Sequence, residues 1–117
     1  MMKKIYGLVL LSVILFSVSS FNSLRTDIRI NVRNELGSLE SGVTVSLYKT
    51  KERYEKSEKP DFTGLTDVKG NVTFDGVEPI SYYIGAEKGE RNNFGAGEKT
   101  DVLQAGKLNK ITLIISE

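Results

Sequence analysis

The stretch Thr66-Asp67-Val68-Lys69-Gly70-Asn71-Val72-Thr73-Phe74 carries the clearest structural signal in the chain. Asp67 can accept backbone N–H groups inside a tight turn, and Gly70 can adopt the positive φ that closes one. Val72 and Phe74 then alternate with a polar residue, which is typical of a strand that is buried on one face. We therefore predict the end of one strand, a tight turn and the start of the next strand, as in a hairpin.

Strand patterns continue on both sides of this turn. In residues 82–87, Tyr82, Ile84 and Ala86 would face the core, and Gly85 between them indicates a bulge or a close neighbour. The seven predicted strands cover residues 26–34, 43–48, 62–67, 72–74, 82–87, 98–103 and 108–116. Short strands joined by Gly, Asn and Asp turns, without a long helical pattern, predict an all-β, seven-stranded antiparallel β-sandwich.

The sequence also predicts whether four further apolar side chains are buried or exposed. Val77 lies in a loop but is expected to fill the core. Either Val102 or Leu103 should point inward from the sixth predicted strand. Ile114 falls on the face opposite to its apolar neighbours and should therefore be exposed.

Two long connections interrupt the strands. Residues 49–60 are highly charged, and Glu52 with Lys56 could support one helical turn, but the segment is too short and polar for a stable amphipathic helix. We expect a solvated loop that offers no core residue, or alternatively a recognition loop with Tyr54 as its contact. Residues 88–97 hold three glycines and two asparagines and should be irregular. Their Phe94 either covers the core or makes a contact.

The N-terminal segment is typical of a secretory signal. Lys3 and Lys4 precede a mostly apolar run over residues 5–16, and small residues follow at positions 17–20. We predict a signal peptide over residues 1–20 and a β-sandwich domain over residues 21–117. An uncleaved anchor is the alternative, although the apolar run is shorter than the roughly 20 residues that a membrane helix needs. Export would place the domain in the periplasm, in the medium or at the cell surface, with no stable membrane span after cleavage.

The motif around the opening stretch is similar to that of carboxypeptidase regulatory-like and transthyretin-like (prealbumin-like) domains. The resemblance rests on Thr66-Asp67-x-x-Gly70-x-x-x-Phe74, Gly76-Val77-x-Pro79 and Tyr82-x-Ile84-x-Ala86, and it covers nearly all of the chain after residue 27. Ile80 stands where the family usually has glycine. The resemblance implies a Greek-key, Ig-like sandwich that is exported, bacterial and not itself catalytic, and that acts as a contact surface in the cell envelope.

The residue types present exclude several kinds of chemistry. The sequence contains no histidine and no cysteine, so it offers neither Ser-His-Asp nor Cys-His catalysis, no zinc site of the usual type and no disulfide. With 16 basic and 15 acidic residues, it has no footprint for nucleic acid. We predict neither enzymatic activity nor a cofactor. Asp67, Asn71 and Asp75 leave calcium open, although turn capping accounts for Asp67 and the spacing matches no EF-hand loop.

The remaining candidates are surface contacts. Tyr82 or Tyr83, whichever faces outward, could form a small platform with Tyr54 and Phe94. The residues predicted to contact a partner are Tyr54, Tyr83, Arg91, Asn92, Asn93 and Phe94. The partner would be an envelope protein or, less favoured, a glycan. The alternative functions are a structural or adhesive subunit that self-associates through sheet edges, and a small carbohydrate-binding module; the sequence leaves the oligomeric state open.

Overall fold

The computed structural model describes residues 25–95 and 98–117, so the predicted signal peptide lies outside the described residues. In chain order the elements are β1 (Asp27–Asn34), β2 (Thr44–Tyr48), α1 (Lys51–Lys56), β3 (Phe62–Leu65), β4 (Asn71–Phe74), β5 (Tyr83–Lys88), β6 (Arg91–Asn92) and β7 (Leu108–Ile115). No helix in these two ranges has the length and apolar character needed to cross a membrane.

The strands form a sandwich of two sheets, which confirms the all-β prediction. One sheet has the order β4-β1-β7 and the other the order β3-β2-β5-β6. The expectation that every pair would be antiparallel is wrong, because β1 and β7 run parallel, in register from the pair Asp27–Leu108 to the pair Asn34–Ile115. These strands are separated by most of the domain, so no short turn forces them to run in opposite directions.

The turn at residues 66–70 has the predicted local chemistry but a different role. Asp67 Oδ1 accepts the backbone N–H groups of Lys69 at 2.9 Å and of Asn71 at 3.0 Å, and Gly70 has a φ of 76°. The hairpin prediction is nevertheless wrong, because β3 and β4 belong to different sheets. The turn therefore carries the chain from one sheet to the other, and the Gly70 carbonyl accepts the N–H of Val32 at 2.8 Å.

The core lies between the inner faces of the two sheets. Tyr82, Ile84 and Ala86 face inward as predicted. Among the loop residues, Val77 and Leu103 are buried, whereas Val102 is 69% exposed. The other members of the buried cluster are Ile28, Ile30, Val32, Val43, Val45, Leu47, Phe74, Leu113 and Ile115. Ile114 is exposed, as its position opposite the core face predicts.

The prediction of a sixth strand over residues 98–103 is wrong. This segment pairs with its neighbour only at a single bridge between Lys99 and Tyr83. Beyond Lys99, the Thr100 hydroxyl accepts the N–H of Tyr82 at 3.0 Å, and the N–H of Leu103 bonds to the Ile80 carbonyl instead of extending a ladder. The short strand β6 forms within residues 88–97, so the prediction of a wholly irregular segment is wrong there.

Candidate binding site on the four-stranded sheet

The charged segment at residues 49–60 contains α1, contrary to the expectation of a loop. Thr50 is the N-cap, and its hydroxyl accepts the N–H of Arg53 at 3.3 Å. Ser57 ends the helix in a left-handed conformation, and its N–H bonds to the carbonyls of Arg53 and Tyr54. The predicted pair of Lys56 with Glu52 forms at 3.1 Å. Caps and ion pairs alone rarely stabilise a six-residue helix, so packing against the sheet must supply the rest.

Tyr54 supplies that packing and corrects the expectation that residues 49–60 offer no core position. Its side chain is only 8% exposed, and it lies on the outer face of the four-stranded sheet rather than between the sheets. Its ring meets the edge of Tyr48 at 5.8 Å and stacks on Tyr83 at 5.6 Å, both measured between ring centroids. A Cβ added to Gly85 would lie 3.7 Å from Tyr48 and 4.0 Å from Tyr54. Gly85 therefore has the close neighbour that its position in a strand indicated.

Phe94 completes this aromatic group. Its ring lies 6.3 Å from that of Tyr54, edge to face, and the side chain is 55% exposed. Phe94 therefore does not cover the core between the sheets. The fold brings together three of the predicted contact residues, Tyr54, Tyr83 and Phe94, although forty residues separate the first from the last.

These three rings and four charged side chains enclose a hollow of about 480 Å³, which we call the aromatic recess. The charged residues around it are Lys51, Glu55, Glu98 and Lys99. The Lys99 ammonium lies 5.2 Å from the centroid of the Tyr83 ring, within the range of a cation–π interaction. Glu98 Oε1 accepts the N–H of Gly95 at 2.7 Å, which holds the loop that carries Phe94.

The Tyr54 hydroxyl is an unusual group in the recess. It is buried, and among the described residues no group meets the distance and angles of a normal hydrogen bond to it. Burial is the main reason why the pKa of Tyr54 is raised, and the nearby Glu98 carboxylate raises this pKa further, first through a weak hydrogen-bonding contact and then through its charge. Since buried polar atoms normally have a partner, the fold leaves a hydrogen bond unmade at this position.

The other predicted contact residues hold the loop in place. Asn93 is only 1% exposed, its Oδ1 accepts the N–H of Ala86, and its Nδ2 donates to the Ile84 carbonyl, both at 2.9 Å. Asn92 Oδ1 accepts the N–H of Phe94 at 3.0 Å. Neither asparagine belongs to the aromatic recess; both fix the direction in which the chain leaves β6.

Arg91 is held by a residue that the sequence did not single out. Its Nη1 lies 2.6 Å from Glu40 Oε1, and the Lys88 ammonium lies 3.2 Å from Glu40 Oε2. Hydrogen bonds from Arg91, and then from Lys88, lower the pKa of Glu40 to about 2. Glu40 lies in a loop without a periodic pattern, so no local signal connects it with residues some fifty positions away in the chain.

The possible calcium ligands are engaged in other contacts. Asp67 caps the turn as described, Asn71 Oδ1 accepts a hydrogen bond from Asn31 at 2.9 Å, and Asp75 lies 3.8 Å from the Arg25 guanidinium. Across residues 25–95 and 98–117, no group of three or more histidine, cysteine, aspartate or glutamate side chains is arranged to hold a metal ion.

Comparison with known proteins shows a similarity in fold to a solved structure. No family model matches the sequence, and no curated protein matches it at a significant level. Among solved structures, the Bacillus anthracis TIE protein is similar over 80% of this chain, with a TM-score of 0.55 and 11% identical residues. The chain spans 16% of the length of that protein chain. At this identity the likeness concerns the β-sheet fold alone.

Proposed function

We propose that the chain is a non-catalytic binding module of the cell envelope that contacts a partner protein through the aromatic recess. The observation that carries the proposal is the buried, unpartnered Tyr54 hydroxyl beside the half-buried Tyr83 and the exposed Phe94. Aromatic residues dominate the energetics of protein interfaces, and a donor or acceptor from the partner would give the hydroxyl the hydrogen bond it lacks once the side chains that cover it move aside. The mixed charges around the recess favour a polar protein surface over a purely apolar one.

The proposal includes a family and a location. The motifs centred on Asp67 and Gly70 support a domain of the carboxypeptidase regulatory-like and transthyretin-like type, with Greek-key connections. The N-terminal pattern over residues 1–20 supports export to the periplasm or the cell surface. The absence of histidine and cysteine from the sequence supports a role in binding rather than catalysis.

N-terminal sequencing of protein recovered outside the cytoplasm tests export. A start near residue 20 is expected, and an intact Met1 would contradict signal cleavage.

Site-specific photocrosslinking in the source cells tests the recess. A benzophenone amino acid replaces Phe94 in one variant and Val102 in a matched control, because both side chains are exposed and apolar. We expect one discrete crosslinked protein from position 94 and not from position 102. Phe94→Ala should reduce copurification of that protein, and Val102→Ala should not. Equal crosslinking at both positions, or none at 94, would overturn the proposal.

Self-association through a sheet edge is the second candidate. Along its length β7 pairs with β1, and its other edge lacks a strand partner among the described residues except at Ser116. Lys110 lies near the middle of that edge, and a charged lysine there discourages edge-to-edge pairing. Sedimentation over rising concentrations separates the two candidates, since a strict monomer contradicts self-assembly.

Binding to neutral sugars on a glycan array, lost in Tyr83→Ala, would instead support a carbohydrate module.

A further inference from the structure

The outer face of the three-stranded sheet carries a cluster of cations far from the aromatic recess in the fold. Residues at alternate positions of β1 point outward here, and Arg29 lies directly opposite Lys110 of β7 and Thr73 of β4. We call this surface the basic face; its residues are Arg29, Asn31, Arg33, Asn71, Lys110 and Thr112. Together with Ile111 they surround a hollow of about 310 Å³, and no acidic side chain of the described residues lines it.

The cations of the basic face are held by neutral groups. Arg29 Nε donates to the Thr73 hydroxyl at 3.2 Å, and Arg33 Nε donates to Asn31 Oδ1 at 2.9 Å. Within the described ranges, no carboxylate lies within 4 Å of the charged nitrogens of Arg29, Arg33 or Lys110. The guanidinium groups are therefore oriented by hydrogen bonds while their charge is not neutralised by an ion pair.

The charge of Asp67 interacts with that of Arg29. Its Oδ1 accepts the two N–H groups of the turn, so this oxygen is directed at the backbone and forms no ion pair with Arg29. The juxtaposition of Arg29 and Lys110 is itself unfavourable, because like charges directly opposite each other destabilise a sheet. A ligand that carries negative charge between them would relieve this repulsion.

We propose that the basic face binds an acidic glycan, with its sulfate, phosphate or carboxylate group between Arg29 and Lys110. An arginine can hold such an oxyanion with two parallel N–H bonds, and a lysine adds a point charge. The Asn71 Nδ2 group can donate and the Thr112 hydroxyl can donate or accept, which suits sugar hydroxyls. An anionic lipid surface offers the same charge, and the test below distinguishes it from a polysaccharide.

Binding of the purified protein to dextran sulfate, measured calorimetrically at about 0.15 M salt, tests the proposal. Neutral dextran and poly-L-glutamate are the reference ligands, because the first lacks charge and the second lacks sugar. Lys110→Gln should weaken binding to dextran sulfate about fivefold, as expected for one exposed charge contact. Lys59→Gln is the matched control: it makes the same change in net charge at an exposed position in the connection between α1 and β3 and should change affinity less than twofold.

Folding and binding can be separated in these variants. Lys110→Arg should keep the affinity, and Arg29→Gln combined with Lys110→Gln should abolish measurable binding. The thermal midpoint of Lys110→Gln should equal or exceed that of the wild type, because the repulsion from Arg29 is removed. Equal loss in Lys59→Gln, equal affinity for poly-L-glutamate, or binding to phosphatidylglycerol vesicles without binding to dextran sulfate would overturn the glycan assignment. None of these outcomes depends on the aromatic recess.

Discussion

Arg91 and Glu40 form a two-point ion pair, with Nη1 2.6 Å from Oε1 and Nη2 3.3 Å from Oε2. The pair joins the loop after β1 to β6, the short strand that leads to Phe94. Glu40 is a largely buried residue, so the contact is better shielded from solvent than the ion pairs of α1. The position of the aromatic recess therefore depends on a loop that contributes no residue to it.

Acid should destabilise the protein through Glu40. The pKa of Glu40 in the fold is about 2, below its ordinary value of 4.5. The ionised carboxylate therefore contributes its full stabilisation above about pH 4.5 and loses it as the pH falls towards 2. Glu40→Gln should lower the thermal midpoint at pH 7 by several degrees and flatten its decline between these pH values. Glu35→Gln, at an exposed position, is the control; a parallel decline in wild type and Glu40→Gln would contradict the assignment.

Gly70→Ala should be more harmful than Gly37→Ala. Both glycines have a positive φ, 76° and 83°, so each alanine carries a backbone cost of about 1–2 kcal/mol. At Gly70 the added Cβ would also lie 2.8 Å from the Val32 carbonyl oxygen, whereas at Gly37 it meets nothing within 4 Å. Urea unfolding should give a clearly larger loss for Gly70→Ala. Equal losses would show that the contact with β1 is relieved at little cost.

The fold was predictable where alternation and turn chemistry are local. The inward positions of Ile84 and Ala86 follow from period-two patterning, and Asp67 caps its turn as its position indicates. The pairing of strands did not follow, because a turn formed by Asp67 and Gly70 serves equally well within one sheet or between two. Sequence patterns also cannot show the parallel β1–β7 pair, which depends on contacts between the two ends of the domain.

The candidate site was predictable only in part, for a related reason. The sequence predicts three aromatic contact residues, Tyr54, Tyr83 and Phe94, because none of them has a clear place in the core. What brings them together is a six-residue helix that packs on Gly85, and isolated propensity disfavours such a helix. Tertiary packing overrides that preference. Asn93 is a predicted contact residue because it lies in the glycine-rich loop that carries Phe94. In the structure its amide instead bonds to the backbone of β5 in place of a neighbouring strand.

Asn93→Ala should therefore act on stability more than on surface chemistry. Truncation leaves the Ala86 N–H and the Ile84 carbonyl without these hydrogen bonds in a buried setting, at a cost of about 3 kcal/mol. Amide exchange at Ala86 should accelerate in this variant. Asn92→Ala, which loses a single bond at a half-buried position, should cost about 1 kcal/mol. Similar losses for both variants would contradict the role of Asn93 as a substitute for a strand partner.

Tyr54→Phe separates the hydroxyl from the ring that carries it. The phenylalanine keeps the stacking on Tyr83 and the packing on Gly85 but removes a buried polar atom that lacks a partner. Stability at neutral pH should therefore be unchanged or higher. Because the pKa of Tyr54 is raised in the fold, ionisation should destabilise the wild type as the pH rises above about 10, and Tyr54→Phe should resist alkali better.

Absorbance titration of the phenolates, with Tyr83→Phe as control, should show that only Tyr54→Phe loses the tyrosine that ionises last. If the hydroxyl serves a partner, Tyr54→Phe should also weaken capture of the protein crosslinked at position 94. A variant that is more stable and binds less would show that the hydroxyl is retained for recognition, because the fold gains nothing from it. A loss of stability of more than about 1 kcal/mol at pH 7 would instead mean that the hydroxyl has a structural partner. The recess would then lose the observation that distinguishes it from ordinary aromatic packing.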